Sequence, residues 1–184
     1  MQITFIGNCQ LVSLCFYFQQ LLGPDSATWV CYGNEFLPFL HPWSDKCVNK
    51  ILDNDSGLAK VRTSDVIVYQ EVCAAKSSFC NEQTLRALNP TARLLKLPSI
   101  QFEAGDASIT EGLRQREVAN HVDIVVSSMF DRFGTKLMLD ICHPTTFMFL
   151  EIVRDICSML DLPFFSDEKV AHFLENENYM ELPV

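Results

Sequence analysis

Ser64-Asp65-Val66-Ile67-Val68-Tyr69 places four consecutive β-formers behind a polar pair. A strand with one wet face alternates apolar and polar residues, whereas this run does not alternate. Residues 65–69 therefore read as a strand covered on both faces, the usual condition of a parallel sheet sandwiched between helices.

Working outward, Gln2–Ile6, Thr28–Tyr32 and Ala92–Leu97 (ended by Pro98) read as further strands, and Lys136–Leu139 as a short late one. Between them lie amphipathic stretches at Gln10–Leu22, Asp45–Leu52, Asn81–Leu88 and Ser108–Asn120, the last with start signals at Ser108 and Thr110. Val122–Val126 fits strand or helix equally. Pro144 suits the first turn of a helix, where its missing N–H costs nothing. Phe149, Ile152, Val153, Ile156 and Leu160 then recur at three- and four-residue steps, an apolar face of about four turns. A last helix is expected over Asp167–Glu175. Strands alternating with helices predict an α/β fold of three layers, a mostly parallel sheet flanked by helices.

The chain has 184 residues, 48% of them apolar and 20% charged, which suits one domain with one substantial core and excludes disorder. Its net charge of −9 repels nucleic-acid phosphates and anionic lipid, so no nucleic-acid partner is expected. Residues 151–184 carry eight acids and two bases, so the acidity concentrates in a helical tail over about 162–184 that reads as solvated surface. The N-terminal stretch has no basic n-region, and polar residues interrupt every apolar run well short of about 20 residues, so neither a secretory signal nor membrane insertion is expected. Eight cysteines without a signal point to reduced thiols and a cytoplasmic location. No CxxC, no HExxH and no pair of Cys/His clusters at zinc spacing occurs, and no metal is expected.

Two short stretches carry the candidate chemistry. Gly7-Asn8-Cys9-Gln10 ends the first strand and opens a helix, and ligands in open α/β sheets bind outside the carboxyl ends of strands. Gly7 permits a tight turn or close approach. Cys9 would occupy the positive end of the helix dipole, which should lower its pKa, although buried inert packing is the ordinary fate of a cysteine. Far along the chain, Asp140-Ile141-Cys142-His143-Pro144 sets a carboxylate three residues before an imidazole. Asp140 could fix the tautomer of His143 and leave the other ring nitrogen as a base toward a nucleophile.

A Gly-x-nucleophile turn with a late Asp-x-x-His resembles the SGNH/GDSL hydrolase superfamily, with Cys9 in place of serine. More closely, GNCQ at 7–10, DVIVYQ at 65–70 and HPT at 143–145 resemble the WcbI-like polysaccharide-biosynthesis acetyltransferase family over about residues 2–160. That resemblance implies an SGNH/flavodoxin-like fold, here with a helical C-terminal extension. It also implies coenzyme A or acetyl-CoA as acyl donor and transfer to a sugar hydroxyl of a polysaccharide or glycan precursor. Carried over, Cys9 is the nucleophile or lies beside the thioester, His143 is the base and Asp140 its orienter. Asn8, Gln10, Gln70, Gly33 and the Cys9 N–H are candidates for oxyanion or substrate contact; Gln70 stands where the superfamily has Gly-x-Asn-Asp, whose Gly and Asn are missing here. Gly33-Asn34 also reads as an ordinary turn.

An acidic protein that binds coenzyme A needs local cations or helix N-termini for its phosphates. Arg114, Arg116, Arg132 and Lys136 form the densest cationic stretch, with Arg93 and Lys96 in support; solvated helix faces explain the same residues. His41 reads as part of a rigid turn or a substrate wall, His121 as a helix end and His172 as surface. The same Cys/His/Asp set with water as acceptor would be an esterase or thioesterase. A catalytically degenerate coenzyme A- or glycan-binding module is a third reading, and a homo-oligomer is compatible with all three.

Overall fold

The computed structural model describes residues 1–31, 55–70, 80–101, 108–163 and 166–176. Among the described residues four strands, β1 (Ile3–Gly7), β2 (Ala27–Cys31), β3 (Val66–Gln70) and β4 (Arg93–Leu97), form one sheet in the order β2-β1-β3-β4. Every pairing is parallel, with Ile3 opposite both Ala27 and Val66, and Val66 opposite Arg93. This is a flavodoxin-like α/β layout.

Alternate residues of each strand enter different cores, which is the physical meaning of the non-alternating apolar runs. Ile3, Phe5, Val66, Val68, Leu95 and Leu97 pack on one face. Ile6, Ile67, Tyr69 and Leu94 pack on the other. The larger core is closed by α1 (Cys9–Leu22), α4 (Ile109–Asn120), α5 (Ser127–Arg132) and α6 (Thr146–Met159). The smaller is closed by α2 (Asp55–Thr63) and α3 (Glu82–Leu88) through Leu58, Val61, Leu85 and Leu88. Helices thus cover both faces, and three layers result. α7 (Asp167–Asn176) follows, supplying the helical part of the tail. No helix among the described residues is long and apolar enough to cross a membrane.

Five features differ from the sequence reading. Residues 136–139 do not form a sheet strand; a single antiparallel bridge joins Met138 to Pro144. Asp140 draws the amides of Cys142 and His143 into a turn, and Pro144 has no N–H with which to extend a ladder. Pro144 also does not open α6. Thr145 does, extended at φ −71° and ψ 161°, its hydroxyl accepting the Met148 N–H.

Residues 122–126 form neither strand nor helix. Asp123 and Ile124 donate their N–H groups to the Lys96 carbonyl, and the Asp123 carboxylate accepts the Lys96 N–H at 2.7 Å, so they cover the β4 edge. The helices α2 and α5 were not anticipated. The expected helix at 45–52 lies outside the described residues, as do Gly33, Asn34 and His41.

A candidate active site at the sheet's switch point

In the order β2-β1-β3-β4 the chain reverses direction between β1 and β3, and the crevice beyond their carboxyl ends is where such sheets bind ligands. Asn8 is the only residue between β1 and α1. Its Oδ1 accepts the Gln10 N–H at 2.9 Å, capping the helix, while its Nδ2 has no hydrogen-bond partner among the described residues. No acid in the first turn of α1 offsets the positive end of the dipole.

Gln10 joins this corner to the distant loop. Its Nε2 donates to the Ile100 carbonyl at 2.7 Å and to the Cys142 carbonyl at 2.9 Å. Its Oε1 accepts from Gln70 Nε2 at 2.8 Å and from the Ile100 N–H at 3.1 Å. All four capacities of the amide are used, so Gln10 is a clasp rather than a substrate contact. Gln70 Nε2 is likewise spent, on Gln10 and on the Pro98 carbonyl at 3.0 Å. Gln70 therefore does not supply the expected oxyanion donation: its remaining atom is Oε1, a buried acceptor with no partner among the described residues. A developing oxyanion needs a donor.

The clasp places the loop 139–143 beside the start of α1. There His143 Nδ1 lies 2.6 Å from Asp140 Oδ2. Asp140 Oδ1 accepts the N–H groups of Cys142 and His143, each at 2.9 Å. The Cys142 amide, then the His143 imidazole, hold the Asp140 carboxyl down at about 2, so it is ionised at neutral pH. With the carboxylate ionised, Nδ1 carries the proton and donates it, and Nε2 remains as an acceptor without a partner among the described residues. Asp140 and His143 side chains are 53% and 40% exposed, so the dyad meets solvent. Leu139 and Ile141 beside it are exposed apolar residues.

Cys9 is exposed as a residue and forms no disulfide, and no hydrogen bond joins it to His143. Its pKa is raised, not lowered as the helix dipole suggested. Desolvation of the sulfur outweighs the pull of the Cys9 and Gln10 amides. The sulfur that lies against the imidazole is that of Cys142, 3.6 Å from Nδ1. The ligating atoms of Asp140, Cys142 and His143 all lie within 4.8 Å of one another. This group does not follow the pattern of separated Cys/His pairs, because all three residues fall within four positions of one turn. Cys15, Cys80 and Cys157 are buried.

The cationic candidates do not converge. Arg114 pairs with Glu111 and Asp131. Arg116 donates to the Gln101 carbonyl. Arg132 lies 3.9 Å from Asp155 and over the Phe133 ring. Arg93 begins β4, at the opposite rim of the sheet, and donates to the Met159 carbonyl at 2.6 Å, while Lys96 is buried. Lys136 is exposed, with no ion pair among the described residues. His121 caps α4 in the left-handed region at φ 49°, and His172 falls within α7.

The fold and this corner define a parallel α/β protein with a carboxylate–imidazole dyad at its switch point. No family model, curated protein or solved structure matches the chain.

Proposed function

We propose that the chain is a coenzyme A-dependent acyltransferase of the SGNH-like kind, moving an acetyl group to a sugar hydroxyl. The observation that supports this most directly is the Asp140–His143 bond of 2.6 Å, held beside the N-terminus of α1 by Gln10. An ionised carboxylate on Nδ1 leaves Nε2 basic and stabilises the imidazolium that forms when it takes a proton. The WcbI-like motifs at 7–10, 65–70 and 143–145 supply the substrate class.

The geometry favours direct transfer over an acyl-Cys9 intermediate. Cys9 has no base bonded to it and its pKa is raised, so little thiolate is present at neutral pH. In the direct route the acceptor hydroxyl gives its proton to His143 Nε2 as its oxygen attacks the thioester carbonyl. Collapse of the tetrahedral intermediate expels the coenzyme A thiolate, which regains that proton from the imidazolium. Asn8 Nδ2 and the unneutralised start of α1 are the donors for the intermediate's oxyanion. Of the cationic candidates, Lys136 is exposed and has no ion pair among the described residues, which leaves it open to a phosphate. The exposure of the dyad favours hydrolysis as a second reading, with water in place of the sugar.

The test is calorimetric titration with coenzyme A and acetyl-CoA, followed by mass analysis of sugar acceptors after incubation with acetyl-CoA. Acetylated sugar that disappears in His143→Ala supports transfer, whereas free acetate alone supports hydrolysis. No affinity for either coenzyme form would refute the proposal.

A further inference from the structure

The geometry points to a zinc site at Asp140, Cys142 and His143, with three protein donors and one open position. Zinc holds sulfur at about 2.3 Å and nitrogen or oxygen at about 2.0–2.2 Å, so tetrahedral angles place sulfur and nitrogen about 3.6 Å apart and nitrogen and oxygen about 3.4 Å apart. Cys142 Sγ and His143 Nδ1 are already separated by 3.6 Å. Asp140 Oδ2 is closer, at 2.6 Å from Nδ1, because a hydrogen bond now joins them, and all three donors lie within 4.8 Å. Opening that contact by less than an ångström gives nitrogen and oxygen their tetrahedral spacing, and the Cys142 sulfur and the Asp140 oxygen close from within 4.8 Å to complete the triangle. Asp140 can do so while keeping its place, since its other oxygen is tied to two backbone amides. Ligating carboxylates are commonly held in this way.

The donor set selects the metal class. A thiolate with an imidazole suits zinc, while calcium and magnesium require a shell of oxygens. On binding, the Cys142 thiol forms a zinc–sulfur bond and loses its proton to solvent. The metal replaces the proton on His143 Nδ1, and the ring then carries its proton on Nε2. The metal therefore takes the ring nitrogen that Asp140 uses to orient the base, and it leaves Nε2 protonated. Zinc and the dyad are alternatives, so zinc switches the base off. The binding stands without the acyl-transfer reading; the inhibition rests on it.

Cobalt(II) tests the site on the reduced, chelator-treated full chain, because thiolate-to-cobalt charge transfer and tetrahedral d–d absorption report ligands without reference to activity. One equivalent should give both bands, and zinc should abolish them. Cys142→Ser should remove the charge-transfer band, Asp140→Asn should weaken cobalt binding at least about ten-fold, and Cys9→Ala should leave the spectrum intact. Circular dichroism matching the parent confirms that each variant is folded. No band with the parent protein, a band that survives Cys142→Ser, or one lost only in Cys9→Ala would overturn the site. Zinc should also stop acetyl transfer over the range in which it displaces cobalt, with recovery on chelation. Active protein without a cobalt band sinks the metal site alone; a band in a protein inactive when metal-free sinks the acyl-transfer reading alone.

Discussion

Replacing Gln10 with leucine removes an amide whose four hydrogen bonds join α1, β3, the segment after β4 and the dyad loop. The Ile100 N–H and C=O lose their side-chain partner in a place where Ile100 is fully buried. Each such orphan costs about 1–3 kcal/mol. The Cys142 carbonyl is only part-buried and can turn to water, and Gln70 keeps Pro98. Leucine is nearly the same size and returns about 1 kcal/mol as apolar burial. The net loss is about 1–5 kcal/mol, a fall in Tm of about 2–20 °C for a chain of this length. Urea titration measures the loss, and hydrogen exchange locates it. The Cys142 and His143 amides, freed from α1, should exchange faster than those of β1. Gln10→Glu keeps the acceptors but has no donor for Ile100 O or Cys142 O, and it buries a charge, so it should be at least as damaging. Melting within about 2 °C of the parent, or unchanged exchange in the loop, would refute the clasp.

Gly7→Ala should destabilise the protein. The new methyl would sit 2.8 Å from Leu11 Cγ, a branch point in the core, and 3.3 Å from Gln70 Oε1. Overpacking of about 1–3 kcal/mol outweighs the roughly 0.4–1 kcal/mol gained from stiffening the unfolded chain, and an equal or higher urea midpoint would contradict this. Asn8→Asp keeps the cap but lacks the free donor, so stability should hold while kcat for acetyl transfer falls by about 10²–10³-fold; Asn8→Ala should also lose about 1 kcal/mol of stability. A kcat unchanged in both variants would remove Asn8 from the site. The Asp140 carboxyl, held down at about 2 against an ordinary 3.8, contributes stability that is complete above about pH 4 and lost as pH falls toward 2. Carboxyl-carbon NMR titration should follow it, and a midpoint near the ordinary value would show that the turn does not form.

The range over which each interaction acts explains what could be read without coordinates. Runs such as 65–69 declare two-sided burial in their own composition, so the three-layer parallel sheet was legible. The Asp140–His143 pairing was legible for the same reason, its partners being three residues apart in one turn. By contrast, α5 is six residues long and has no side-chain cap of its own at Val126. The carboxylate of Glu117 accepts the Val126 and Ser127 amides from nine and ten residues upstream, beyond any local start signal. Gln10 reaches 90 and 132 residues along the chain, and from position 10 alone it looked like a substrate group. Its burial reverses that reading, because a buried amide with four satisfied bonds has nothing left to offer a ligand. Asn8, with one oxygen committed and its nitrogen free, has what Gln10 lacks. Among polar residues at such a corner, unspent hydrogen-bonding capacity separates a contact for substrate from a support for the fold.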